Sequence, residues 1–260
     1  MASERDDLVA RLRAAGCVFA EDEARMLREA AQGGRELEQM VAERVAGLPL
    51  EHILGWAEFC GLRVAVGPGV FVPRRRTELL ANEAATHAAP GSVVVELCCG
   101  VAAISAALLA RIEGIELYAA DIDPEATRFA RANVGERGVV LDGDLFAPLP
   151  ESIRGRVDVL VANAPYVPTE AIAFMPPEAR LHEARVALDG GGDGLELHRR
   201  IAAGAPEWLA PGGWLLIESS EQQAPRTAAL FERAGLLSRV VRDEELDGTV
   251  VIGQRVGLDS

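Results

Sequence analysis

The sequence predicts an α/β fold: a Rossmann-like, mostly parallel sheet wound on both faces by helices, with an antiparallel hairpin at its C-terminal edge and a small all-α domain in front. Three observations predict it. From about Ser92 onward, short apolar runs of strand length alternate with helix-length segments. The last two runs, 236–241 and 249–253, are joined only by the acidic turn 243–248, which is too short for a parallel crossover. The first fifty residues, by contrast, carry apolar positions at helical spacing.

Taken in order, Leu8, Leu12 and Ala15, then Ala24, Leu27 and Ala31, then Leu37, Met40, Val41 and Val45 mark short amphipathic helices. Gly16, Gly33-Gly34 and Gly47 punctuate them, and Pro49 is expected to end the bundle. Residues 57–66 mix β-formers with Gly61 and close at Gly67-Pro68-Gly69, as a hairpin or extended linker would. The expected division is therefore a helical domain over 1–50, a hairpin or linker with a helix over 51–90, and the α/β domain over 91–260. Val93–Leu97 is continuously apolar but for Glu96, as a strand buried on both faces requires. An apolar helix is expected over 101–111 and a strand over 115–120. Asp123-Pro124-Glu125 then opens a helix, with Asp capping free amides, Pro in the first turn and Glu favouring the dipole. Strands over 139–141, 157–162 and 214–218, with helices over 194–209 and 221–234, complete the series.

Composition excludes several chemistries. All 26 basic residues are arginine, so no Schiff-base lysine, phosphate-loop lysine or Ser-x-x-Lys site exists. Against 40 acidic residues the net charge is −14, which disfavours direct binding along nucleic acid and suits a cationic ligand or a basic partner. The longest apolar runs are too short to span a bilayer, so no membrane association is expected. The polar, acidic stretch 1–7 reads as neither signal nor transit peptide, and a cytoplasmic location is expected. Cys17, Cys60, Cys98 and Cys99 form no C-x-x-C, and the four histidines show no ligand spacing; reduced thiols and no metal site are expected.

The candidate chemistry sits where strands end. Glu96-Leu97-Cys98-Cys99-Gly100-Val101-Ala102 runs from the first strand straight into a helix, a turn that offers helix-start amides to a ligand. It has one glycine where a dinucleotide fingerprint has three, and a plain βα connection would read the same way. Asp121 ends the next strand, where a carboxylate can hold a ribose diol. Asp144, after the third, could accept from an adenine amino group. Either acid alone could equally be a loop cap; one after each successive strand points to a bound adenosine. Asn163-Ala164-Pro165-Tyr166 follows the fourth strand. Although Asn-x-Pro is ordinary turn chemistry, an asparagine carbonyl and the next backbone carbonyl can both accept from a planar –NH₂, while proline removes a competing amide and an aromatic ring packs on the plane.

That tetrad resembles the Asn-Pro-Pro-Tyr motif of S-adenosylmethionine-dependent enzymes that methylate amide or amino nitrogens. The surrounding chain resembles one branch closely, the HemK/PrmC-type protein-(glutamine-N5) methyltransferases. The resemblance covers most of the chain from Pro49. It rests on Pro49-Leu50-Glu51-His52-Ile53-Leu54-Gly55 through Gly61-Leu62, on Val72-Pro73-Arg74 with Thr77-Glu78, on the tetrad, and on Ala187-Leu188-Asp189-Gly190-Gly191 with Asp193-Gly194-Leu195. It is nearest the subgroup with Asn-Ala-Pro-Tyr and a cysteine-bearing first turn. The resemblance implies a class I methyltransferase sheet, S-adenosyl-L-methionine as cofactor, a helical substrate-recognition domain, and a glutamine amide of a protein, the family's usual target being a peptide chain release factor. It also implies roles. Glu96, Cys98, Cys99, Gly100, Val101 and Ala102 would line the methionine part of the cofactor. Asp121, with Ile122 beside it, would hold the ribose, and Asp144 with Leu145 would flank the adenine. Phe71 and Pro73 would belong to a loop over the cofactor, while Asn163 and Ala164 would grip the target amide in a slot shaped by Pro165 and Tyr166.

The chain departs from the family's Asp-Leu-Gly-x-Gly-x-Gly turn at Glu96, Cys98 and Ala102, and from Pro-Arg-Pro at Arg75. Competing readings are methylation of another planar amino group, less readily a nucleobase at this charge, and a non-catalytic protein that binds the same cofactor. A nicotinamide oxidoreductase would need the missing glycines and a proton-donating Lys or Tyr. Arg74-Arg75-Arg76 reads as a solvated cluster, Gly190-Gly191-Gly192 as a flexible loop, and His182 and His198 as surface or packing residues.

Overall fold

The computed structural model describes residues 2–257; Met1, where the polar stretch expected to carry no leader begins, lies outside them. Four helices come first, α1 (Ala2–Ala14), α2 (Ala20–Ala30), α3 (Gly34–Val45) and α4 (Leu50–Leu54). Pro49 does not end the helical unit as expected. It stands immediately before α4 with φ −54°, a place where a missing N–H costs nothing, and left-handed Gly55 stops the helix one turn later. Leu8, Leu12, Ala24, Leu27, Met40 and Val41 form a small core of their own, against which Leu50, Ile53 and Leu54 of α4 pack. Inside this unit Arg44 is 8% exposed, its Nε donating to Glu23 Oε2 at 2.6 Å. The same guanidinium reaches the Leu48 carbonyl at 3.0 Å and Glu178, far along the chain.

The expected hairpin forms from β1 (Trp56–Phe59) and β2 (Leu62–Ala65), paired antiparallel. After it come α5 (Glu78–His87) and the alternating series: β3 (Val93–Leu97), α6 (Ala103–Arg111), β4 (Glu116–Asp121), α7 (Pro124–Val134), β5 (Val139–Asp142), β6 (Val157–Ala162), α8 (Pro177–His182), α9 (Glu196–Trp208), β7 (Leu209–Glu218), α10 (Ala224–Arg233), β8 (Leu236–Asp243) and β9 (Gly248–Arg255). Asp123 caps α7 as its sequence predicts, accepting from Glu125 N at 3.0 Å with Pro124 in the first turn. The short α8 was not foreseen.

One sheet of seven strands runs in the order β5-β4-β3-β6-β7-β9-β8. The first five are parallel and β9 is antiparallel to both neighbours, so the last strand threads between β7 and β8. Side-chain alternation divides the core. Val93, Val95 and Leu97 join Leu160, Ala162 and Ile217 beneath Ile201 of α9 and Phe231 of α10. Val94, Val159, Val161 and Leu216 face the other way, under Leu80 of α5, Leu108 of α6 and Ala130 of α7. His198, read as surface or packing, is fully buried on α9 and bonded to Thr227 Oγ1 at 2.9 Å.

The winding reverses between β3 and β6: the chain leaves β3 toward β4 and β5, then returns to β6 and β7. A crevice opens at the carboxyl ends of strands at such a point. In register, Leu97 pairs with Ala162 and Ala162 with Ile217, so three strands end level there. Among the described residues no helix is long and apolar enough to cross a membrane.

Arg44→Ala would leave Glu23 a buried charge without its cation, and a chain so altered is expected to lose about 3–5 kcal/mol in urea unfolding; a loss below about 1 kcal/mol would show the pair to be solvated.

Candidate active site

A cavity of about 910 Å³ occupies the crevice. It is walled by Phe71, Pro73, Glu96, Cys98, Cys99, Gly100, Val101, Asp121, Ile122, Asp144, Leu145, Asn163, Ala164, Pro165 and Tyr166. Every residue singled out in the sequence therefore meets one space except Ala102, which is fully buried behind it.

The turn after β3 shows how this is built. Cys98, Gly100 and Ala102 all have left-handed backbone, with φ of 52°, 54° and 58°. The turn thus keeps a conformation that suits glycine at alternate positions, although two of the three carry a side chain. A Cβ on Gly100, which lines the cavity, would have no atom within 4 Å. Asn133 of α7 braces the turn from outside, donating to the Val101 carbonyl at 2.8 Å and to the Ala65 carbonyl of β2 at 3.0 Å.

The acids differ in their surroundings. Alternation turns Glu96 toward α6, where the carboxylate accepts from Ser105 N at 2.8 Å and from its hydroxyl. Burial pushes its pKa up to about 7, against the pull of those two donors. Asp121 accepts from Gly100 N at 2.7 Å on one oxygen and from Asp123 N at 2.9 Å on the other, leaving a second lone pair on each. Burial raises its pKa, and these amides partly offset that. Asp144 is half exposed and paired with Arg200 of α9 at 2.6 Å, so a ligand there would share it with a guanidinium. Ile122 is 56% exposed and Leu145 only 7%, two apolar walls of the same cavity. Burial drives the Cys98 and Cys99 thiols far up, and all four cysteines are free.

At the tetrad, Asn163 Nδ2 donates to Thr77 Oγ1 at 3.3 Å. Oδ1 has no hydrogen-bond partner among the described residues. The Tyr166 hydroxyl donates to Glu218 Oε1 at 3.1 Å, and burial raises its pKa strongly. Gln223 holds the Tyr166 carbonyl at 3.0 Å.

Two readings of the sequence need correction. The arginine run is solvated only in part: Arg75 and Arg76 are exposed, but Arg76 also pairs with Glu218 at 3.4 Å, and half-buried Arg74 pairs with Glu183, which is 7% exposed. The glycine run is not free. Gly190 N donates to the Val167 carbonyl at 2.8 Å, and Thr169 N to the Gly191 carbonyl at 3.0 Å. A Cβ on Gly190 would lie 2.7 Å from the Pro165 carbonyl oxygen and 2.8 Å from Tyr166 Cα. Thr77, Arg200 and Glu218 were missed as site residues. Glu218 carried the signal that revealed Asp121, an acid closing a strand; Thr77 stood inside the recognised Val72-Pro73-Arg74…Thr77-Glu78 segment. Among the described residues no group of three or more His, Cys, Asp or Glu is placed to hold a metal ion.

Known proteins share this sequence and this fold. Residues 61–195 match the family described as Methyltransferase small domain. A release factor glutamine methyltransferase of Geobacter sulfurreducens is 37% identical over 221 residues, 84% of this chain and 77% of that protein. One of Mycolicibacterium smegmatis is 38% identical over 215 residues, 81% of this chain and 75% of that protein. A crystal structure of a methyltransferase from Pyrococcus furiosus, 17% identical, superposes over 85% of this chain and 98% of its own with TM-score 0.58, a likeness of fold.

Two outcomes are expected. Gly190→Ala forces a side chain onto rigid backbone and should cost about 1–3 kcal/mol in denaturant unfolding; an unchanged midpoint would mean that the tetrad loop yields freely. Folded Glu96 keeps its proton up to about pH 7, against 4.5 for an ordinary glutamate. The folded state therefore binds more protons between those values, and stability falls as pH rises through that window. Glu96→Gln removes the loss, so the melting temperature of the variant relative to the parent should climb between pH 4.5 and pH 8; a difference that stays level would place the carboxyl in water.

Proposed function

The chain belongs to the release factor glutamine methyltransferase family, and on that premise we propose that it transfers a methyl group from S-adenosyl-L-methionine to the side-chain amide nitrogen of a glutamine in a peptide chain release factor. The observation that carries the reading is Asn163: its Nδ2 is committed to Thr77, so its Oδ1 stays open toward a cavity whose far wall is the left-handed turn after β3.

The cavity fits the cofactor on three counts. Gly100 leaves space that any side chain would fill. Asp121 and Glu96 both line it, and Asp121 keeps acceptor capacity suited to a ribose diol. Ile122 and Leu145 offer apolar faces to a planar base. We assign Cys98–Ala102 with Glu96 to the methionine part, Asp121 to the ribose, Ile122, Asp144 and Leu145 to the adenine, and Phe71 and Pro73 to a loop closing over it. Bound there, the cofactor supplies an electrophilic methyl on sulfonium, transferred with formation of an N–C bond and release of a neutral thioether.

The chain's own residues supply position. An amide nitrogen is a poor nucleophile because its lone pair is shared with the carbonyl. Asn163 Oδ1 and the Ala164 carbonyl each accept one N–H of the target, which holds the –NH₂ and favours a pyramidal nitrogen whose lone pair faces the methyl. Orientation of this kind can supply several kcal/mol of barrier lowering. Both acceptors bind more strongly as positive charge develops on nitrogen. The methylated nitrogen would then lose its strongly acidic proton to solvent water, so neither histidine nor lysine is needed. Pro165 offers no N–H to compete, and the Tyr166 ring bounds the slot.

We further assign α1–α4 to acceptor recognition, supported by their separate core and by the Arg44–Glu178 contact to the cavity wall. The Asn-Ala-Pro-Tyr tetrad and cysteine-bearing turn mark the subgroup within the family, and the acceptor class sets a cytoplasmic location. The net charge of −14 favours a basic acceptor domain, with salt screening the attraction.

Incubation with methyl-labelled cofactor and a release factor, followed by mass spectrometry, should give N5-methylglutamine; label in nucleic acid instead would overturn the acceptor class. Asn163→Ala should bind the demethylated cofactor product with near-parental affinity in calorimetry yet turn over about 100-fold or more slowly, the usual scale for removing one preorganised polar contact. Undiminished turnover would take Asn163 out of the reaction.

A further inference from the structure

Glu218 takes no part in the reaction as derived above, yet its surroundings are those of a group kept for function. It closes β7 beside the strand that carries the tetrad. Ala162 and Ile217 pair in register, so the next residue on each strand, Asn163 and Glu218, emerges at the same edge of the crevice. The side chain is 2% exposed. Its Oε1 accepts from the Tyr166 hydroxyl at 3.1 Å and from Arg76 Nε at 3.4 Å, whereas Oε2 is buried with no hydrogen-bond partner. A buried carboxylate with one oxygen unsatisfied is a poor stabilising device, since replacing such groups by neutral ones is often harmless to the fold.

What Glu218 controls is a proton donor. Asn163 Oδ1 must stay unpaired to receive the acceptor amide, and two donors of residues lining the same cavity could occupy it or turn it away. One is the asparagine's own Nδ2, which decides where the oxygen points; Thr77 holds it. The other is the Tyr166 hydroxyl, three residues on and on the same cavity wall. Arg76 and Thr77 are successive residues of one short 3₁₀ turn, Arg75–Thr77, so a single piece of backbone secures both ends of the tetrad. We propose that Glu218 is a positioning residue for methyl transfer: as a carboxylate braced by Arg76 it sequesters the Tyr166 hydroxyl, which pins the ring bordering the slot and keeps Asn163 Oδ1 free for the acceptor N–H. Burial together with the neighbouring charge of Glu218 keeps the Tyr166 phenol protonated, hence a donor. This assignment rests on the methyltransferase reading above.

The protein has two tyrosines, Tyr118 and Tyr166, so a Tyr118→Phe background with ¹³Cζ-labelled tyrosine leaves Tyr166 as the sole reporter. In that full-length background Glu218→Gln should move the Tyr166 Cζ resonance, leave the melting temperature unchanged or higher, and keep affinity for the demethylated cofactor product within about twofold. Turnover on a release factor should fall about tenfold with acceptor KM within about threefold, and Glu218→Ala should lose about 100-fold. Tyr166→Phe should cost little more in the Glu218→Ala protein than that protein has already lost, because both changes remove the same contact. Three results would overturn the assignment: an unmoved resonance, Glu218→Ala turnover within about threefold of its parent, or losses of melting temperature and cofactor affinity in step with turnover. If Glu218→Ala does not fold, the glutamine variant and the resonance decide alone. A parent protein that methylates nothing would sink the functional reading while the resonance test still reports on Glu218.

Discussion

Parallel pairing of β3 with β6 is the constraint on which the site depends. These strands are far apart in sequence, and the order β5-β4-β3-β6-β7 makes them neighbours where the winding reverses. Their register brings Leu97 level with Ala162, and the next pair brings Ala162 level with Ile217. The turn after β3, the Asn163 tetrad and Glu218 therefore leave the sheet at one height. A slip of one residue would invert every side chain, sending Leu97 and Ala162 out of the core they share. Close packing of different side chains on the two buried faces of β3 and β6 opposes such a slip.

Around that fixed edge the chain tolerates local costs. Left-handed backbone at Cys98 and Ala102 is unfavourable by about 1–2 kcal/mol for each non-glycine residue. Glu183, Glu218, Ser219 and His198 each leave a buried polar atom without a partner. Two of these residues, Glu183 and Glu218, hold arginines that line the cavity, and Ser219 follows Glu218 directly. Unsatisfied groups gather where position matters more than stability, and the surrounding sheet supplies the surplus that permits them.

Much of this was legible in the sequence because it is local. Continuous apolar runs gave the strands, and Asp123-Pro124-Glu125 gave a helix start that the structure reproduces. Acids at or after strand ends pointed to Asp121 and Asp144, and the structure brings both to one cavity with the tetrad. What stayed hidden depends on pairs distant in the chain. Arg74-Arg75-Arg76 looks solvated until α8 brings Glu183 to Arg74 and β7 brings Glu218 to Arg76. Gly190-Gly191-Gly192 looks loose until its backbone is seen against Val167 and Thr169. Pro49 misled for a different reason: proline both ends a helix and precedes one, and only the sequel 50–54 distinguishes the two.

The absence of lysine takes on a positive meaning in this setting. Three buried or nearly buried carboxylates, Glu23, Glu183 and Glu218, meet a cation, and each meets arginine, from Arg44, Arg74 and Arg76. A guanidinium can serve two partners from one rigid plane, as Arg44 does for Glu23 and Glu178, whereas an ammonium is a compact point charge that resists desolvation. These pairs also form a sequence in space. Arg44 joins α2 and α3 to Glu178 of α8, Glu183 at the end of α8 joins Arg74, and the turn after Arg74 holds Asn163 through Thr77 and Tyr166 through Arg76 and Glu218. The helical unit and the tetrad are thus connected through α8 and the loop after Arg74. Movement of α8 against the sheet cannot leave the tetrad untouched, because the two meet through the same four residues of loop, 74–77.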